Sequence, residues 1–484
     1  MDDALAGEIL RGPFGPKVAA FFDFDGTLIH GFSASAFYLD RFRRRDIGPT
    51  EAARTLVLGL RGVGDDKAFE RFMALSVNAL AGRSLDEMDE MGERLFEQAI
   101  AGSVYPEAWS LVQAHQMMGH TVVLASSATR FQADPLAREL GIEHVLTSQL
   151  EAEDGILTGR ADGPVMWGQG KADAVRSFAQ SHRIDLRRSY AYSNGDEDIP
   201  FLETVGRPRP VNPEGELARI AAERGWPTRR FRSRGRPGWS GLARTAAMYG
   251  GLLSGIGTGV AVGLLNRSRR QGIDVAAGLS GDLSLALAGI DLRVQGTDHA
   301  WSARPAVFLF NHQSQIDPAI LWKVLRGGFT GVAKAEMQQS PVLGPLFKWS
   351  DVAFVERGNT EQARRALAPA VDRLRAGLSL AIAPEGTRSF TPRLGSFKKG
   401  AFHIAMQAQV PIVPIVIRNA SAAMWRGART VRPTTVDVAV LAPIDVESWS
   451  VEDLEERIAG VRQLYLDTLT RWPGSPAARL VPAS

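Results

Sequence analysis

The chain has 484 residues, a formal net charge of +3 and 45% hydrophobic residues, too long for one ordinary core and apolar enough to fill two. It has no cysteine, which excludes disulfides and thiolate metal sites. The small charge without interleaved aromatic and basic residues speaks against a nucleic-acid partner, and the acidic opening Met1-Asp2-Asp3 is unlike a signal peptide, so a cytoplasmic site of action is expected.

Residues 18–22 are an apolar run that predicts a buried strand, ending in Asp23-Phe24-Asp25-Gly26-Thr27. Two carboxylates one residue apart at a strand end share a face. One can then attack phosphorus and coordinate magnesium, while the other handles the leaving-group proton. Residues 33–105 are rich in helix formers, notably at 50–58 and 85–91, and predict a helical cap that closes over the aspartates. Arg41, Arg43, Arg44 and Arg45 in it are either anion binders or a solvated face. Thr121-Val122-Val123-Leu124-Ala125 predicts another buried strand, delivering Ser126, whose hydroxyl can bind a phosphoryl oxygen. Lys171, after Gly168-Gln169-Gly170, can neutralise charge on a transferred group. The loop Asn194-Gly195-Asp196-Glu197-Asp198 offers oxygen ligands for magnesium.

This order of motifs resembles the haloacid dehalogenase-like phosphatases, particularly the phosphoserine-phosphatase-like branch, over residues 15–215. The resemblance implies a Rossmann-like α/β domain with its cap at about 33–105. It implies Asp23 as the nucleophile that forms an aspartyl phosphate, Asp25 as general acid and base, and Ser126 and Lys171 as phosphoryl binders. Mg2+ would be held by Asp23, Asp25, Asn194 and Asp198. Asn194 departs from the pattern, standing where these phosphatases commonly carry aspartate. The lost charge weakens magnesium binding unless Asp196 or Asp198 compensates. The domain is therefore read as a phosphatase, acting on a small ester or on a lipid intermediate, or as a silent scaffold.

A basic stretch rich in glycine and proline, residues 216–240, reads as a linker suited to anionic headgroups. Residues 245–266 carry no charge and place Gly251, Gly255, Gly259 and Gly263 at intervals of four, a smooth ridge on a helix. A basic turn at Arg267, Arg269 and Arg270 leads to a second helical pattern interrupted by Asp274 and Asp282. Residues 241–290 are expected to be a membrane-associated hairpin, monotopic or re-entrant because of those acids, on the cytoplasmic face of the cell membrane. A soluble hairpin packed on the following domain is the alternative, and the glycine ridge also allows a homodimer.

Residues 306–310 predict a strand that delivers Asn311-His312-Gln313-Ser314-Gln315-Ile316-Asp317, with Pro318 suited to a first helical turn. An imidazole held in one tautomer by a carboxylate can take the proton of an attacking hydroxyl, so His312 is the base and Asp317 its orienter. Strands are also predicted at 352–355, ending at Glu356-Arg357, and at 380–383, delivering Pro384-Glu385-Gly386-Thr387-Arg388. Paired arginine donors and a glycine turn suit a phosphate, with Lys398 and Lys399 as candidate additional charge. Residues 451–469 predict an amphipathic helix.

With Val410-Pro411-Ile412-Val413-Pro414, these blocks resemble the lysophosphatidate acyltransferases over residues 275–445. The resemblance implies an α/β glycerolipid acyltransferase domain at 291–470, acyl-CoA or acyl carrier protein as donor, and lysophosphatidate as acceptor. Its phosphate would be held by Arg357, Glu385, Gly386, Thr387 and Arg388, and the product would be phosphatidate.

Overall fold

In a computed structural model the described residues, 3–44, 73–235, 237–334, 339, 348–355 and 360–474, fall into two compact units, Met1–Arg236 and Pro237–Ser484. Residues 50–58, Arg45, Glu356 and Arg357 lie outside the described residues.

The first unit is built on Ala19–Phe22 (β1), Thr121–Thr129 (β2), His144–Glu153 (β3), Ile156–Asp162 (β4), Tyr190–Ser193 (β5) and Arg207–Pro210 (β6), in the order β4-β3-β2-β1-β5-β6. Only β3 and β4 pair antiparallel. All four residues of central β1 are buried, which is why it reads as an unbroken apolar run rather than an alternating one. Ligands of such sheets bind beyond the carboxyl ends of the strands. There β1 releases Asp23 and β5 releases Asn194, while β2 runs on past Ser126 through a register shift between Ala125 and Thr129.

Helices Ser33–Arg43 and Leu85–Leu95 belong to the predicted cap, the second opened by a capping box between Ser84 and Glu87. Arg41 is buried and Arg44 pairs with Asp40 at 3.2 Å, so these two are engaged within the unit. Residues 216–235 correct the expected linker. Arg229 and Arg209 both pair with Glu8, Phe231 is buried against Tyr105, and the Ser233 N–H donates to Glu107 at 3.2 Å. Of the basic side chains that suggested a free, headgroup-binding stretch, Arg229 is spent on half-buried Glu8.

The second unit orders Ile290–Gln295 (β7), Val307–Phe310 (β8), Phe329–Lys334 (β9), Ala353–Val355 (β10), Ser379–Ile382 (β11), Ile412–Arg418 (β12) and Thr434–Val440 (β13) as β10-β9-β11-β8-β12-β13-β7. Only β12 and β13 run antiparallel. β8 is central and wholly buried. From the C-terminal helix Leu454–Thr470, the Tyr465 hydroxyl donates to the Leu309 carbonyl of β8 at 2.7 Å.

Helices Trp239–Leu265 and Arg269–Ala288 form the predicted hairpin. The glycine ridge is its seam: a Cβ at Gly255 would stand 2.4 Å from Ser280 N, and one at Gly259 would stand 2.5 Å from Ala276 Cβ. The second helix packs on the core of the unit. Leu285 and Ala288 join the cluster around Phe308 and Ile320. Asp274 pairs with Arg270 at 2.5 Å and accepts the Gly328 N–H at 3.0 Å, and Asp282 pairs with Lys323 at 3.5 Å. Partners within the unit thus account for both acids. The first helix keeps an apolar outer face, with Trp239, Leu264 and Leu265 exposed at 88%, 75% and 83%. It is long and apolar enough to cross a membrane, with a mean hydropathy of 1.5.

Candidate active sites

At the carboxyl edge of the first sheet, Lys171 Nζ donates to Asp23 Oδ1 at 2.9 Å and to Asp198 Oδ2 at 2.7 Å. All three side chains are buried. Burial pushes the Asp23 carboxyl up to about 6, against the pull of Lys171 and with the push of Asp198. Burial alone would lower the lysine, but Asp198 and Asp23 outweigh it and hold the ammonium above its ordinary value. A permanently charged Lys171 thus holds the nucleophile candidate in place.

The Asp25 carboxylate accepts the Ser33 N–H at 2.7 Å and the Ser33 hydroxyl at 3.0 Å, one on each oxygen. That engagement, on the side of the cap helix, corrects the expectation that its carboxylate also holds a metal. Burial, opposed by the Ser33 N–H, pushes Asp25 up to about 7, so at neutral pH a large fraction carries the proton a general acid needs. Gly26 turns the chain at φ 74°, and a Cβ there would lie 2.3 Å from the Asn194 amide. No other residue fits both the dihedral and the space. Ser126 is buried, and its Oγ accepts the Ala128 N–H at 3.1 Å.

For magnesium, the loop rearranges the expected ligands. Asp196 leaves the site, accepting the Leu217 N–H at 2.7 Å at the start of helix Gly215–Glu223. Asn194 Oδ1 accepts the Thr27 hydroxyl at 3.1 Å. Asp198 Oδ1 is buried with no hydrogen-bond partner, an oxygen whose desolvation a cation would offset. Among the described residues no group of three or more His, Cys, Asp or Glu side chains is gathered as a metal site. The donors that fit are therefore two carboxylates, Asp23 and Asp198, with the Asn194 amide oxygen, a hard oxygen set suited to Mg2+. Glu197 was overlooked in the sequence between two aspartates. Its carboxylate folds back over Gly195, and burial reinforced by Asp198 pushes it up to about 7, with Asp23 adding to the push.

In the second unit, β8 ends at Phe310 and the helix Asp317–Leu325 starts with Pro318 in its first turn. The turn between them brings His312 Nδ1 to 2.7 Å from Asp317 Oδ2, and the Gln313 and Ser314 N–H groups each donate to that oxygen at 2.8 Å. The fully buried Asp317 carboxylate, with three donors on one oxygen, orients the ring with its N–H on Nδ1 and leaves the Nε2 lone pair for an incoming proton.

Glu385 departs from the expectation that it binds phosphate. Its Oε1 accepts the His312 N–H at 2.8 Å, and its Oε2 accepts the Ser389 hydroxyl at 2.7 Å and the Gly395 N–H at 2.9 Å. An anion with both oxygens engaged would repel a phosphate. The Ser389 N–H donates in turn to the His312 carbonyl at 2.8 Å, so one loop grips the base residue's backbone on both sides. Gly386 makes the loop's turn at φ 72°, with Lys398 Nζ 3.4 Å from where its Cβ would be. Thr387 is exposed and Arg388 half-buried; the guanidinium of Arg388 has no side-chain partner among the described residues. Arg426, unremarked in the sequence because no motif surrounds it, lies over Phe390 at 3.8 Å and donates to the Arg388 carbonyl at 2.8 Å. Lys399 is turned away to Glu455 at 2.5 Å.

The folds and motif placements define two α/β enzyme classes on one chain. The family model described as haloacid dehalogenase-like hydrolase matches residues 20–203, and the one described as acyltransferase matches residues 291–418. The phosphoserine phosphatase SerB1 of Mycobacterium tuberculosis is 36% identical over 276 residues, covering 55% of this chain and 86% of the relative. The 1-acyl-sn-glycerol-3-phosphate acyltransferase of Limnanthes alba is 34% identical over 190 residues, covering 39% and 67%. The crystal structure of a 1-acyl-sn-glycerophosphate acyltransferase from Thermotoga maritima aligns at 24% identity and TM-score 0.42, covering 48% of this chain and 97% of that one. The chain belongs to the haloacid dehalogenase-like hydrolases through its first unit and to the acyltransferases through its second.

Proposed function

We propose that the second unit acylates lysophosphatidate to phosphatidate with a thioester donor, acyl-CoA or acyl carrier protein. The His312–Asp317 pair carries this reading. Nε2 takes the acceptor's hydroxyl proton as the oxygen attacks the thioester carbonyl. The C–S bond then breaks, and the thiolate leaves with the proton from His312. Arg388, Lys398 and Arg426 supply positive charge for the acceptor phosphate, with Thr387 and the Gly386 backbone alongside. The outer face of helix Trp239–Leu265 docks on the cytoplasmic face of the membrane, so the lysolipid tail stays in the bilayer.

The first unit, in this reading, is a phosphomonoesterase. An Asp23 oxygen attacks phosphorus, the P–O bond to the alcohol breaks, and Asp25 gives its proton to the departing oxygen. Water, losing a proton to Asp25, then opens the aspartyl phosphate and releases phosphate. Mg2+, when bound by Asp23, Asp198 and Asn194, supplies charge neutralisation for the phosphoryl oxygens. The unpartnered Asp198 oxygen favours this over a silent scaffold.

Both activities are visible in one experiment: lysophosphatidate, acyl-CoA and Mg2+ followed by mass spectrometry for the native chain, His312→Ala and Asp23→Asn. Phosphatidate is expected to vanish only in the first variant, and its persistence there would sink the acyl-transfer reading.

A further inference from the structure

Beside Asp25 a cavity open to solvent enters the cap. Phe37, Met73, Val77 and Leu80 line it, with Phe32 at the mouth, 48% exposed. Most of the polar side chains in the wall are bonded to one another. The Tyr38 hydroxyl and Ser76 Oγ are 2.6 Å apart, Gln132 Nε2 donates to Ser33 Oγ at 3.2 Å, and the Thr129 hydroxyl donates to Gln132 Oε1 at 3.1 Å. The Ser33 hydroxyl is in turn committed to Asp25. The interior therefore presents mostly carbon, and Asp25 is the one charged side chain among the described lining residues.

We infer that this cavity takes the alcohol half of a phosphate monoester and that the alcohol is apolar, an alkyl or aromatic group. The inference rests on the phosphatase reading of Asp23 and Asp25 and deepens it by naming the substrate class. Phosphoserine, the substrate in the name of the Mycobacterium tuberculosis relative, is the wrong shape of charge for this wall. Its ammonium and carboxylate would lose water and meet a wall of carbon and mostly paired hydroxyls, which disfavours them strongly. An alkyl chain gains from the same surroundings, by about fourfold in affinity for each methylene it buries.

The test measures phosphate release by the full chain with Mg2+ at pH 7 from ethyl, butyl and hexyl phosphate and from phosphoserine, subtracting the Asp23→Asn variant. We expect kcat/KM to climb along the alkyl series and to exceed that of phosphoserine at least tenfold at hexyl. In Val77→Arg, which puts a guanidinium into the wall, that preference should narrow at least tenfold in a variant with native circular dichroism. Phosphoserine used as well as or better than hexyl phosphate would overturn the inference and leave the phosphatase reading standing. No Asp23-dependent release from any ester would remove the phosphatase reading itself.

Discussion

Glu385 accepts the backbone N–H of His312 at 2.8 Å across 73 positions of sequence. The Ser389 N–H returns a bond to the His312 carbonyl, so the catalytic turn and the Glu-Gly-Thr-Arg loop are clamped into one body. Glu385→Ala would leave three donors, two of them backbone N–H groups, without their acceptor. Each such loss costs about 1–3 kcal/mol when buried, and an angstrom of drift in the base costs about a hundredfold in rate. We expect acyl transfer to fall about a hundredfold and the second unit to melt several degrees lower. Glu385→Gln, which keeps one acceptor oxygen, should lie between. An altered KM for the acceptor with unchanged kcat would instead mean direct phosphate contact.

Asp25 is raised from 3.8 to about 7 by burial. The folded chain then holds this proton more tightly than the unfolded one, so the group destabilises the fold progressively as pH rises from about 4 to about 7. Asp25→Asn, permanently neutral, should therefore melt higher than the native chain in EDTA, by a margin that grows between pH 5 and pH 8. The same variant should lose phosphatase turnover. A margin that does not vary with pH would place the proton elsewhere.

Asn194→Asp keeps the oxygen that Thr27 bonds and adds a charge to the ligand set. Calorimetry should show Mg2+ binding tightened about tenfold or more. Glu197→Gln, with one carboxylate fewer beside Asp198, should weaken it. If Glu197→Gln binds Mg2+ as the native chain does, that side chain takes no part in the metal's field.

Leu253, Leu264 and Leu265 stand on the exposed face of helix Trp239–Leu265. Replacing all three by serine should reduce flotation with anionic vesicles by at least about tenfold, given about 1.5–3 kcal/mol for each fully buried leucine, while leaving the melting of the second unit nearly unchanged. Equal flotation would exclude this face as the membrane contact.

The residues legible in the sequence are those whose chemistry is local. Asp23 and Asp25, or His312 and Asp317, follow an apolar strand within a few positions, and a strand end followed by a tight turn leaves their side chains little freedom. What sequence hid was allegiance across distance. Asp196 resembles a metal ligand until a helix N-terminus about twenty positions on recruits it, and Glu197 then turns inward beside it. The glycine ridge was readable because spacing alone makes it. The pairing of Asp274 and Asp282 was not, because their partners at Gly328, Lys323 and Arg326 belong to a later helix and the turn after it.

Central β8 joins β11 on one side and β12 on the other, and the Tyr465 hydroxyl closes on it from the last helix. Its neighbours are therefore synthesised long after it. During translation all six strands of the first unit have been synthesised by Pro210, so it can settle early, since domains fold as units in chain order. The turn bearing His312 has no completed sheet to sit on until almost the whole polypeptide has emerged. A nascent or prematurely terminated chain would thus carry an assembled first unit with an unassembled second.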